Sequence, residues 1–397
     1  MPQSKSFLNA PRIPRRQALA TLLAAAGVVV LPACGGGGGG VASVDTGGTG
    51  SFSTGRISGF GSVIVNGVRF EDNAARIADD DDENKVLTRD DLALGMVVRV
   101  QGGTVVTGGD LPTATATSIT VESQIKGPVE SKSGTDTLVV FGQTVKVNAS
   151  TVFELGVTFA NIAVGQALEV HGFADAAGVV TASRIERENS PGEFKVRGFI
   201  ANLAGTTFQI GAATFDFASA SRLPSAPLAN GMFVRVRTTT TRNGSGNWVA
   251  TRIDLRSAME DRDEAEVEGV LVQSGSTFSV NGITVDLSRV PAGAGLVGQR
   301  VEVEGALAGG VLVAREIKVD AEDDSQVDVR GTASSVDTTA KTFVVRGVTF
   351  HYTAGTTRET DGSIAADLRD GADVRVRGTL PASGSGNVEA TEIDFRP

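Results

Sequence analysis

Apolar and polar residues alternate along this chain in short runs that recur. The clearest run is Gly95-Met-Val-Val-Arg-Val-Gln-Gly102, where Val98 and Val100 point one way and Arg99 and Gln101 the other. A period of two is that of a half-buried strand, and the Val positions are the expected core. The phrase returns as Gly165 to Gly172, as Gly231 to Arg237 without its closing Gly, as Gly298 to Gly305 and as Gly371 to Gly378. The starts lie 70, 66, 67 and 73 residues apart. A second strand-like run follows each, anchored on Ile119, Ile185, Ile253, Ile317 and Ile393. A hairpin precedes each. Val63-Ile-Val-Asn66-Gly67-Val-Arg-Phe70 and Phe278-Ser-Val-Asn281-Gly282-Ile-Thr-Val285 place Asn-Gly between alternating runs, which favours a type I′ turn. Phe141-Gly142, Arg346-Gly347 and Gly211-Ala212 hold the same place in other repeats. A short strand closing on Gly59, Gly127, Gly198, Gly269 or Gly331 opens each unit, and a Gly there predicts a bulge or sharp bend.

Each unit therefore reads as five short strands, with a connector such as 87–94 or 362–370 before the fourth, expected to make a helical turn. Such a unit suits a small OB-like barrel, which leaves no open edge. The rival arrangement is a stack of open meanders. The predicted fold is all-β, a tandem array of five barrels at 55–122, 123–188, 189–258, 259–320 and 321–397, each owning its core, so that a cut at the acidic boundary near Asp261 is expected to leave two independently folded fragments. This organisation resembles a bacterial family of exported proteins built from repeated small β-domains of unknown function, often lipoproteins. The resemblance covers 55–397 and rests on the Gly-x-x-Val-x-Val-x-Gly and Ala-x-x-Ile phrases. It supplies no catalytic residues.

The first 33 residues read as an export signal. Lys5, Arg12, Arg15 and Arg16 form a basic head without an acid, and Ala18 to Leu31 is an apolar run too short for a stable bilayer helix. Leu31-Pro32-Ala33-Cys34 looks like a lipobox, so Cys34, the one Cys, is the expected lipidation site. A plain secretory signal with a chance Cys is the alternative. Arg15-Arg16-Gln17-Ala18-Leu19 resembles a twin-arginine motif, and that route and the general one both stay open. Six glycines, Gly35 to Gly40, begin a Gly/Ser/Thr-rich stretch to Thr54 that reads as a flexible tether. Gly35 in place of an Asp favours the outer membrane over inner-membrane retention. The implied address is the cell envelope.

Composition narrows the chemistry. Cleavage before Cys34 takes four basic residues from 36, leaving 32 against 46 acids, a net of −14, which repels nucleic acid. One Cys excludes an internal disulfide, and two His, one Trp and one Tyr leave few catalytic side chains. The expectation is a non-enzymatic protein without a cofactor or metal, whose partners are the membrane, through its lipid, and an unidentified envelope protein or glycan. The alternative is a module that binds a cation or glycan. Asp79, Asp80, Asp81, Asp82 and Glu83 are the candidate binding residues for it. Asn84 replaces the sixth-position Gly of an EF-hand loop and Asp90 its twelfth-position Glu, so the run reads foremost as a solvated insertion. His171 and His351 lie in different repeats. His171 stands where other repeats have Gln101, Arg237, Glu304 and Arg377, which reads as a solvated face. Gly55, Gly59 and Gly61 precede a strand and not a helix, so they are no phosphate loop. The 18 Phe are expected in cores, not on a nucleic-acid platform. Outward positions alternate in sign between repeats: Lys195, Arg197, Arg235 and Arg237 in the third, Glu266, Glu268, Glu302 and Glu304 in the fourth. Either all these faces are simply hydrated, or the third unit docks weakly against the fourth through them.

Overall fold

Strand pairing closes on itself five times along the chain. The computed structural model describes residues 50–397, apart from 81–84, 109–110, 256–258, 321–324, 359–361, 382–386 and 396–397. The signal segment, Cys34 and most of the expected tether lie outside the described residues. In barrel 1 the strands are Ser51–Phe60, Val63–Val65, Val68–Glu71, Val97–Gly102 and Thr113–Val121. The first pairs with the second, the second with the third, the third in parallel with the fifth, and the fourth with both the fifth and the first. That circuit, 1-2-3-5-4-1, is an OB-like barrel, so the open-meander arrangement does not apply.

Barrel 2 (from Ile125–Ser133 to Val180–Glu188), barrel 4 (from Arg262–Ser274 to Val311–Val319) and barrel 5 (from Gln326–Asp337 to Val388–Phe395) repeat the circuit. In barrel 3 the first strand is broken into Phe194–Phe199 and Ala201–Ala204, but the closure is the same.

Local sequence explains these elements. Asn66 and Gly67 have φ of 48° and 69°, and Asn281 and Gly282 50° and 73°, as a type I′ turn requires. Val98, Val100, Val301, Val303, Val374 and Val376 are fully buried, as the alternation demanded. Bulges fall mostly on the closing Gly of the fourth strand, at Gly102, Gly172, Gly305 and Gly378, and only Gly59 among the opening glycines marks one. A Cβ on Gly305 would stand 2.2 Å from the Val313 carbonyl oxygen, so the two strands meet only over a hydrogen atom. The connectors make a helical turn in barrels 1, 4 and 5, at Arg89–Asp91, Pro291–Leu296 and Ile364–Asp367. Barrel 2 instead adds a short strand, Val152–Phe153, parallel to its fifth.

Two expectations change. Ser51–Thr54, assigned to the tether, belong to the first strand. Ser51, Ser53 and Thr54 are buried because this segment is hydrogen-bonded on both sides, to barrel 1's fourth strand and, in parallel, to Glu264–Val267 of barrel 4. The barrels are also not independent beads. Gly59 and Phe60 continue the same strand into parallel pairing with Asp328 and Val329 of barrel 5. The interiors of barrels 1 and 5 form one continuous apolar cluster, those of barrels 2 and 3 another, and Phe52 of barrel 1 inserts into the interior of barrel 4.

Candidate functional site

The third strand of barrel 1 runs into an insertion. Arg76–Asp79 forms an extra strand parallel to Ser118–Val121, and Val86–Leu87 folds back on it. The acidic run begins at Asp79, the last residue of the first of these strands. Asp79 is buried, with the Lys85 amine 3.6 Å from its carboxylate, and Asp80 is turned inward; Asp81, Asp82 and Glu83 lie outside the described residues.

Asp80 is where the basic face of barrel 3 finds its counter-charge. Its carboxylate pairs with Arg197, and with Arg235 at 2.7 Å, while the Lys195 amine stands 3.9 Å away. Arg237 donates to the Asp80 backbone carbonyl at 3.2 Å. Barrel 3 therefore docks its four cations on barrel 1, not on barrel 4. Glu122 joins the same junction between Arg99 at 3.6 Å and Arg197 at 3.7 Å. Burial opposes the charge on Asp254, but hydrogen bonds from Arg252 and Arg235 outweigh it and hold that carboxyl below its ordinary range.

Beside Asp80 the junction opens into a cleft of about 330 Å³. Its floor is the outer face of barrel 1, with Arg76, Ala78, Arg99, Ser118 and Thr120; its far wall is Arg197, Phe233, Arg235 and Leu255 of barrel 3. Of the described members of the acidic run, Asp79 is met by Lys85 and Asp80 is spent on guanidinium groups.

The acids of barrel 4 divide. Glu268 is buried, accepts from the Arg56 backbone N–H at 3.1 Å and pairs with Arg300. Burial raises its carboxyl, and Arg300 and Arg56 offset this in part. Glu266, Glu302 and Glu304 bring carboxylate oxygens within 4.8 Å of one another. Lys318 already sits on two of them, 2.8 Å from Glu304 and 3.3 Å from Glu302, where a cation would compete with it. Burial, then the neighbouring Glu302 and Glu304, push Glu266 well above the usual carboxylate range.

His171 is fully buried, not solvated. Its Nδ1 accepts from the Val97 N–H of barrel 1 at 3.3 Å, and its Nε2 lies 3.6 Å from Glu186. A polar position of a barrel exterior is dry here because another barrel covers it. Burial works against ionised Glu186, yet the His171 imidazole beside it and the Arg184 guanidinium bring it down to about 2. His351 pairs with its own neighbour Glu389 at 3.0 Å, so the two imidazoles share no site. Gly55, Gly59 and Gly61 serve close packing: a Cβ on Gly59 would stand 2.3 Å from the Asp328 carbonyl oxygen. Phe52, Phe60, Phe70, Phe208, Phe215, Phe343 and Phe350 are buried, as expected of core residues.

The cleft residues Arg76, Phe233 and Leu255 escaped the sequence reading. The signal that pointed to the junction was electrostatic: four like charges in barrel 3 without an acid among them.

A family described as "Domain of unknown function (DUF5666)" matches residues 126–186, 188–254, 264–318 and 330–394, more than half of the chain. The chain belongs to that family, with barrels 2 to 5 as its repeats. Barrel 1 has the same connectivity but lies outside the match. No curated protein matches the chain as a relative.

Proposed function

We propose that this protein is a non-enzymatic scaffold or binding protein of the bacterial cell envelope, held to the outer membrane by a lipid on Cys34. Repeated small domains fit a scaffolding or binding module. The observation that carries the reading is the place of the first strand. The segment that would follow the lipid and its glycine tether enters at once a strand flanked by hydrogen-bonded neighbours from barrels 1 and 4, and then from barrel 5. A single anchor at that end would hold barrels 1, 4 and 5 through one strand. The partner would be another envelope protein or a glycan, and the net negative charge disfavours nucleic acid.

Fractionation tests the anchor. The native chain should sediment with membranes and stay there after a high-salt wash, and Cys34→Ser, which cannot be acylated, should appear in the soluble fraction. A Ser variant that still resists the wash would overturn the lipid anchor.

A further inference from the structure

Among the described residues, the cleft between barrels 1 and 3 is lined by one more cation than acids. Arg76, Arg99, Arg197 and Arg235 face it against Asp79, Asp80 and Glu122. Asp80 is shared by Arg197 and Arg235, and Glu122 by Arg99 and Arg197. Asp79 has Lys85. Arg76 is exposed at the mouth, and among the described residues it has no ion-pair partner. The surplus charge is therefore placed at the entrance, with the neutralised pairs behind it.

The rest of the lining is not that of a plain anion hole. Arg76 stands in register with Ser118 and Arg99 with Thr120, so cation and hydroxyl alternate across three strands of one face. The opposite wall supplies an apolar step, half-buried Phe233 and exposed Leu255. Small-ligand sites combine such an apolar surface with a few fixed polar groups, and their volumes start at about 300 Å³. The occupant must bring one negative charge, several hydroxyls and an apolar ring face. A phosphate monoester carries about 1.5 to 2 charges at neutral pH and would be repelled by the three acids lining the same space.

We propose that this cleft binds an acidic sugar, a uronic acid or the uronate unit of an envelope glycan. Its carboxylate lies on Arg76, its hydroxyls on Ser118, Thr120 and the free edge of Arg99, and its ring against Phe233 and Leu255. The assignment rests on the binding reading above but not on the lipid anchor, since the cleft is formed whether or not Cys34 is acylated.

Saturation-transfer NMR and calorimetry on the purified full chain, with glucuronate, glucose and inorganic phosphate as separate probes, test it. Glucuronate should bind with a Kd of about 1 mM, as befits a single ring. Arg76→Gln should weaken it about tenfold while leaving the circular dichroism spectrum and membrane fractionation unchanged. Thr120→Val, on the same floor, should weaken it without touching the charge. Glucose binding as tightly as glucuronate, phosphate binding more tightly than glucuronate, an undiminished affinity in Arg76→Gln, or no binding of glucuronate at all would each overturn the assignment. Loss of the anchor in Cys34→Ser would leave the titration as it is, so the two readings fail separately.

Discussion

A buried charge is tolerated only where its counter-charge is fixed, and single residues of this protein show both outcomes. Asp80 sits among Arg197, Arg235 and Lys195, its side chain 11% exposed. Asp80→Ala would leave those cations facing one another in a semi-dry junction. Unfolding in urea should show a loss of about 3 kcal/mol, with the slope unchanged. A loss under about 0.5 kcal/mol would mean that water already screens the cluster. Glu266 is the opposite case, because its folded pKa lies above its ordinary value near 4.5. As pH rises from that value, the unfolded chain releases a proton that the folded protein keeps, so Glu266 lowers stability at neutral pH and is silent in acid. Glu266→Gln should therefore raise the melting temperature at pH 7 by about 2–4 °C, with no difference left near pH 4. A gain of equal size at both pH values would trace the effect to packing and not to charge.

At the scale of the element, whatever depends on nearest neighbours in sequence was legible. The hairpin turns followed from Asn66-Gly67 and Asn281-Gly282, the buried Val pairs from alternation, and the closure from five strands with a connector before the fourth. What depends on a second element was not. The position of His171 accepts Gln, Arg and Glu in other barrels, which reads as solvent, but a polar group is equally stable buried when it is hydrogen-bonded, here to the Val97 N–H. The hairpin tips carry the same lesson. Phe141 and Gly142 form the turn of barrel 2, yet Phe141 is fully buried with its ring edge on Trp248, 4.8 Å between centroids, inside barrel 3. Gly59 was readable as a bend but not as a contact. Gly59→Val would push a side chain into the Asp328 carbonyl, 2.3 Å from where its Cβ must go, and into Ile64. It should destabilise by about 1–3 kcal/mol and speed amide exchange along Gln326–Asp337 more than in barrel 2. Uniform acceleration across all barrels would show that the parallel pairing does not act as a local clamp.

For the whole molecule, the order of barrels in sequence is not their order in space. Barrel 1 pairs its first strand with barrels 4 and 5, receives barrel 3 on Asp80, and meets barrel 2 through His171 and through Arg184, which donates to the Leu94 carbonyl at 3.1 Å. It is also the barrel outside the family match. Tandem repeats that touch only their neighbours should survive division at a boundary. This chain should not. A break near Asp261 would strip barrels 4 and 5 from the Ser51–Phe60 strand and take Phe52 out of the barrel 4 interior. Each half would then expose a strand edge with unpaired N–H and C=O groups. The halves 1–258 and 259–397, made together with a tag on one, should co-purify as a stoichiometric complex. Made alone, each should aggregate or bind the other when mixed. Gly59→Val in the first half should weaken the complex, because the clamp on barrel 5 goes with it. Two soluble, folded halves that ignore each other would show that the parallel pairing adds little and that the barrels are beads after all.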